Sequence, residues 1–300
     1  MKTYLAAAAL CAFLFPLAPT AAQADPAPAP AAKPAAVRDI QHLGHNIYRF
    51  QNDNHYSVFI LGKQSVLLTD PINADAATWL KSEINKRFGA RTVKYVVYSH
   101  NHPDHVSGGD VFADAGTVII AHEKAAQDLR RHHAPTAYPT LTFNDKLHID
   151  FEGRDIQLAY YGPNNGLGSI SLYVPDAKFL FVVDWIVLKR LPWREMYYYD
   201  LDGTIASLQQ VLQLDFTLVS PGHSVTGSKE DVREFLSYLE ALRSGVIDGM
   251  NAGKTREQIQ QELRLPQFAH YAHYEEWLPL NIKGAYDQLE RSSARFGQDK

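Results

Sequence analysis

The stretch Ser99-His100-Asn101-His102-Pro103-Asp104-His105 constrains this chain more than any other, because it sets three imidazoles and a carboxylate side by side. Imidazole nitrogen and carboxylate oxygen are donors that suit zinc and its first-row neighbours. Upstream, Thr92-Val93-Lys94-Tyr95-Val96-Val97-Tyr98 is β-branched and aromatic without a breaker, which predicts a buried strand. Downstream, Ser107-Gly108-Gly109 predicts a sharp turn. The chain must therefore build a sheet whose strand end carries the pattern H-x-H-x-D-H on a tight loop. A rigid scaffold can aim several ligands at one point from such a loop.

The rest of the sequence supplies that sheet. Strands are predicted at 46–50, 56–61, 65–69, 117–121, 157–161, 169–174, 179–183 and 216–219, from β-branched and aromatic runs bounded by turn residues. Apolar residues at Leu80, Ile84 and Phe88, stopped by Gly89, predict a helix over 75–88. Helices are also predicted over 122–131, around Ile205, Leu208 and Leu212, and over 277–289, with capping boxes at Ser228/Asp231 and Thr255/Gln258. With 300 residues and 46% apolar content the chain can bury a sizeable core. No 20–50-residue repeat argues for a solenoid.

Residues 1–24 read as a secretory signal peptide. Lys2 gives a short positive start, Leu5 to Leu17 an apolar run, and Ala22-Gln23-Ala24 a small-x-small cleavage site. Residues 25–38 are rich in Pro and Ala and read as a tether, leaving 39–300 as the folded domain. Cleavage removes Cys11, the sole cysteine, so no thiol is left to bind metal or form a disulfide. These features point to a periplasmic or secreted protein with no membrane anchor once the signal is cleaved. A formal charge of −4 gives no nucleic-acid surface, so the expected partner is a small-molecule substrate. No G-x-S-x-G elbow, P-loop or G-x-G-x-x-G fingerprint offers a rival chemistry.

H-x-H-x-D-H after an apolar strand resembles the signature of the metallo-β-lactamase superfamily, and the likeness extends over roughly residues 40–295. It implies an α/β fold of αββα type, two mixed β-sheets packed face to face with helices outside and a metal site between them. It implies that His100 and His102 serve one metal while Asp104 and His105 serve another. Asp184, in Phe181-Val182-Val183-Asp184-Trp185, matches the carboxylate that bridges the two. His223, in Ser220-Pro221-Gly222-His223-Ser224, matches the last histidine, and Asp70 matches an acid that braces a metal histidine from behind.

One position departs from the family. Where it usually has Gly-Pro-x-His-x-x-Gly, this chain has Gly162-Pro163-Asn164-Asn165-Gly166-Leu167-Gly168, so Asn165 stands in the place of a ligating histidine. An amide oxygen can ligate a metal, though it is a weaker donor toward zinc than imidazole. The resemblance therefore implies one tightly held Zn²⁺ at Asp104, His105, Asp184 and His223. The first site, with His100, His102, Asn165 and a share of Asp184, is expected to be weak or empty, or to accept Mn²⁺ or Fe²⁺. Among the remaining histidines, His122, His132, His133, His270 and His273, the loop residues His132 and His133 are the best substitutes for the missing ligand. Arg190, Arg194 and Tyr197 are expected to line the substrate pocket.

The function implied is metal-dependent hydrolysis, with a metal-activated water as nucleophile and Asp104 orienting it. An ester, lactone or thioester is the preferred bond, and β-lactam hydrolysis ranks lower. A non-catalytic metal-binding accessory protein is the reading from a different class.

Overall fold

In the computed structural model, which describes residues 35–297, strands and helices alternate as αββα layers. The signal peptide and residues 25–34 of the tether lie outside the described residues. Seven strands form one sheet in chain order: β1 (Arg38–Gly44), β2 (Ile47–Asn52), β3 (His55–Leu61), β4 (Ser65–Thr69), β5 (Thr92–Val97), β6 (Val118–His122) and β7 (Leu141–Phe143). The second sheet holds β8 (Lys146–Phe151), β9 (Arg154–Ala159), β10 (Ser171–Val174), β11 (Phe179–Val182) and β12 (Leu218–Pro221), in the order β12-β11-β10-β9-β8. Both sheets are mixed: β4 to β7 run parallel and β11 parallel to β12, while the other pairs are antiparallel.

The two-residue period of a strand sorts the side chains into three apolar layers. In β4, Val66 and Leu68 face the helices and Leu67 faces the other sheet; in β11, Leu180 and Val182 face helices and Phe179 and Phe181 face inward. Burying one such side chain is worth about 1.5–3 kcal/mol, and a one-residue slip would turn the whole set over, so register is firmly specified. Helices α1 (Ala74–Phe88) and α3 (Glu123–Arg131) cover the first sheet. The second is covered by α4 (Leu201–Val211), α5 (Lys229–Asn251), α6 (Arg256–Glu262) and α7 (Tyr274–Gly297). A single turn, α2 (Pro103–Val106), follows β5.

Helix α1 begins one residue before the sequence reading because the Asn73 side chain accepts from the Ala76 N–H at 2.9 Å. Both capping boxes form. Strands β1, β7 and β8 escape the sequence reading. Lys146, His148 and Asp150 of β8 point to solvent on the edge of the second sheet, which halves the density of apolar signal. Arg38, assigned to the tether, already opens β1.

Parallel pairing places the C-terminal ends of β4 and β5, and of β11 and β12, side by side. Asp70, the His-rich loop, Asp184 and His223 all follow these four strand ends.

Candidate metal centre

Asp70 ties the His-rich loop to the neighbouring strand. Its Oδ1 accepts from the Ser99 N–H at 2.7 Å, and its own N–H donates to Val97 O at 3.0 Å. Its Oδ2 lies 3.3 Å from His105 Nδ1, with both residues fully buried. Asp70, Ile72 and Asp184 have φ values of 34°, 65° and 61°, in the left-handed region that costs non-glycine residues about 1–3 kcal/mol each. Part of the backbone strain of the chain thus falls at the strand ends that carry the site. Gly108 and Gly109 play a different part from the sharp turn expected of them. Gly108 has an ordinary φ of −94°, but a Cβ there would come within 2.6 Å of the carbonyls of Pro71 and Asn73. The glycines permit close packing of the loop against the post-β4 segment and Tyr98.

Two donor sets meet at Asp184. In the first, Asp184 Oδ2 lies 3.1 Å from His100 Nε2 and 3.0 Å from His102 Nδ1. In the second, Asp184 Oδ1 lies 3.0 Å from His223 Nε2 and 3.4 Å from His105 Nε2, while Asp104 Oδ2 lies 3.5 Å and 3.6 Å from the same two nitrogens. Asp184 thus turns one oxygen to each set, as the bridging expectation requires.

The donor chemistry fits a divalent metal. His223 Nδ1 donates to Asn54 O at 3.1 Å, and His105 Nδ1 faces Asp70, so both Nε2 atoms turn lone pairs inward only 2.9 Å apart. That separation suits a proton shared between the two rings and, when both are neutral, a cation that takes both lone pairs. His100 Nε2, Asp184 Oδ1 and Asn165 Oδ1 are buried without a hydrogen-bond partner, an arrangement a cation satisfies. The same crowding sets the acidities. Burial opposes the charged form of Asp184, but His100 and His105 outweigh it and hold the carboxyl well below the usual range. For His105, burial is outweighed by Asp184 and Asp70, which raise it well above an ordinary imidazole. Burial prevails at His100 and pulls it down to about 4. Asp104, where burial opposes the charge, is nonetheless lowered, His55 contributing through a hydrogen bond.

Asn165, which the sequence sets in place of a histidine, is brought to the same pocket as His102 and Asp184. It is buried and pairs by a β-bridge with Tyr199. The Tyr199 hydroxyl donates to Asp184 O. Gly166 next to it has φ +67°, and a Cβ there would press within 3.0 Å of the His100 and His102 rings. Only glycine lets this loop close over the histidines.

The sets form the floor of a pocket of about 360 Å³ walled by Val187, Arg190, Trp193, Met196, Tyr197 and Tyr198. Arg190 and Tyr197 line it as expected. Arg194 does not: its guanidinium lies over the Trp193 ring, 5.5 Å from the centroid, outside the wall. The other histidines are employed elsewhere. His122 caps α3 through Nδ1, His132 pairs with Asp128 at 3.3 Å, His270 with Glu234 at 3.0 Å, and His273 stacks on Trp277. His133, at φ 51°, ends α3. None belongs to the His/Asp groups able to hold an ion among the described residues.

Two residues escaped the sequence reading. His55, at the β2–β3 hairpin, lies 3.2 Å from Asp104 Oδ2. Arg49 is buried over the Tyr56 ring and donates to the carbonyls of Pro221 and Ser224, on either side of His223. Neither sits in a motif; the only signal is the pairing of β2 with β3, which brings their hairpin to the His223 loop.

Comparisons with known proteins agree with this geometry. The family model for the metallo-beta-lactamase superfamily matches residues 51–223. The chain is 26% identical over 204 residues to the 2,4-dinitroanisole O-demethylase subunit alpha of Nocardioides sp. (strain JS1661), a match covering 65% of this chain and 60% of that protein. It is 22% identical over 248 residues to the linear primary-alkylsulfatase of Pseudomonas sp. (strain ATCC 19151), covering 64% of this chain and 46% of that one. The chain thus spans about half the length of these curated relatives. The metallo-beta-lactamase from Pontibacter korlensis superposes with a TM-score of 0.61 at 17% identity, over 68% of this chain and 99% of that one. Fold, strand-end geometry and family match coincide, and the chain belongs to the metallo-beta-lactamase superfamily.

Proposed function

We propose that this protein is a metal-dependent hydrolase acting on an ester-type bond, whether ester, lactone or thioester, of a small molecule with an apolar or aromatic body. The observation that carries the reading is the convergence of two donor sets on Asp184 at the floor of an aromatic-walled pocket. His100, His102, Asn165 and Asp184 would hold one ion; Asp104, His105, His223 and Asp184 would hold the other. A bound divalent ion supplies a Lewis acid and lowers the pKa of water from about 16 to about 7. Asp104, whose carboxylate is half-exposed at the pocket, would accept a hydrogen bond from the attacking water and orient it. Asp70 and Asn54 O fix the rings of His105 and His223, so the donors need no rearrangement. Exposed Trp193, Tyr197 and Tyr198 give the substrate body a large apolar surface, and among the described residues Arg190 is the only Lys or Arg in the wall.

The relatives favour oxygen-linked substrates with such bodies, one being named for an aromatic ether and the other for a linear alkyl sulfate. The β-lactamase neighbour supports the fold alone. Export is part of the proposal and rests on the Lys2, Leu5–Leu17 and Ala22-Gln23-Ala24 pattern; no helix among the described residues is long and apolar enough to cross a membrane.

The test is a panel of aryl and alkyl esters, lactones, thioesters, sulfate esters, phosphodiesters and β-lactams, each assayed with Zn²⁺, Mn²⁺ and Fe²⁺. Metal-dependent turnover of aryl or alkyl esters, lost on chelation, is the expected result. No turnover of any substrate with any metal would put the non-catalytic reading ahead.

A further inference from the structure

We propose that His55 is a fifth donor to the second metal set, so that the imidazole absent at Asn165 is matched by one gained on the far side of Asp184. The inference rests on the reading of this centre as a metal site and adds a residue outside the family's motifs.

The geometry comes first. His55 Nε2 lies 3.2 Å from Asp104 Oδ2, and its ring meets that of His223 edge-on at 4.9 Å between centroids. One ligating atom each from His55, Asp104 and His223 lie within 4.8 Å of one another. Donors bound at about 2.0–2.2 Å to a single ion stand roughly 3–4.4 Å apart, so His55 and Asp104 fit neighbouring positions on one ion. The His55 and His105 rings are 6.1 Å apart between centroids, so the two histidines reach the Asp104–His223 pair without stacking on each other.

The backbone then explains why His55 is held there. It opens β3 at a hairpin whose two flanking residues are each fastened to the His223 loop. Asn54 O accepts from His223 Nδ1 at 3.1 Å, and the Tyr56 N–H donates to Gly222 O at 2.8 Å. Arg49, stacked on Tyr56, clamps the same loop through Pro221 O and Ser224 O. A residue between two such anchors keeps a fixed distance from His223. Free rotation toward solvent is the alternative for a hairpin-tip histidine, yet the side chain is only 31% exposed and turned to the carboxylate.

The competing role is that of a brace, a hydrogen bond to Asp104 with no contact to the ion. His55→Ala and His55→Gln separate the two, since glutamine keeps an N–H for Asp104 but removes the imidazole. The full chain, stripped with a chelator, is titrated with Zn²⁺ against a chromophoric competitor and, separately, with Co²⁺ while its visible absorption is followed. A ligand role lowers the affinity of the tighter site in both variants by at least the roughly 10–100-fold that loss of a bracing partner costs, whereas a brace is lost in His55→Ala and kept in His55→Gln. It also raises the Co²⁺ absorption intensity, as expected when a five-coordinate ion loses a donor. Wild-type affinity and an unchanged Co²⁺ spectrum in either variant would overturn the proposal while leaving the metal reading intact. No metal uptake by the wild type would overturn both.

Discussion

The two donor sets share one carboxylate and are otherwise built from unlike parts. The first gathers His100, fully buried, His102, and an amide carried on a glycine loop that closes over both rings. The second gathers two carboxylates and two imidazoles, each ring braced from behind, by Asp70 for His105 and by Asn54 O for His223. Behind the second set also stand two arginines, Arg49 at Pro221 O and Ser224 O and Arg190 at His223 O, 3.1 Å away. Binding strength follows donor charge and the rigidity of support, so under the proposed metal reading the second set is expected to hold its ion tightly and the first to hold one loosely. A loosely held ion is also one whose coordination changes easily.

Substitution at the shared residue should have the largest effect. Asp184→Asn removes a charge from both sets, and kcat/KM should fall by about three orders of magnitude or more with loss of metal from both, read by steady-state kinetics and metal content. Asp104→Ala and His223→Ala strike the second set alone. Each should lower activity by about 10²–10³-fold, with a far-UV spectrum like that of the wild type. If either matched His102→Ala in sparing the tight ion, the ranking of the two sets would be reversed.

Support should matter next. Asp70→Asn leaves every donor in place but removes the acid behind His105, and about 10–100-fold in affinity for the tight ion should be lost. Arg49→Met leaves Pro221 O and Ser224 O without their buried donor, which should cost about 2–3 kcal/mol, seen as a drop of several degrees in Tm and a weaker second ion. An equal loss from the first set would contradict the separate support of the two.

The smallest effect concerns acid stability under the first set. His122 caps α3 and sits beneath Gly168, and burial lowers its pKa from the ordinary value of 6.5. The folded state thus resists a proton that the unfolded chain accepts. Titration of His122 therefore has no effect on stability above about pH 6.5 and lowers stability as pH falls below that value. His122→Asn, which keeps a capping oxygen, should flatten the pH dependence of urea unfolding below about pH 6.5.

Much of this was legible in the sequence because strong local signals coincide with the site. The β5 run, the H-x-H-x-D-H pattern, Asp184 at the end of an apolar strand and the Pro-Gly-His turn each mark a strand end that the parallel pairs bring together. His55 and Arg49 were not legible, since a hairpin histidine and a strand arginine become neighbours of His223 only through long-range packing. The edge strand β8 was missed because its polar alternate residues dilute the apolar run. Arg194 was misplaced because three residues of loop beyond Leu191 turn it onto Trp193, a matter of tertiary contact with α7, where Asn281 holds Pro192 O and Arg194 O.

The inequality of the two sets is tested most directly by counting metal. Wild type and Asn165→His, loaded with Zn²⁺ and dialysed side by side against a weak chelator, should differ in content. The wild type should retain one ion per chain. Asn165→His, which restores an imidazole on the same buried loop, should approach two. Two equally tight ions in the wild type would contradict the account, and would mean that the Asn165 amide serves the first set as well as an imidazole does.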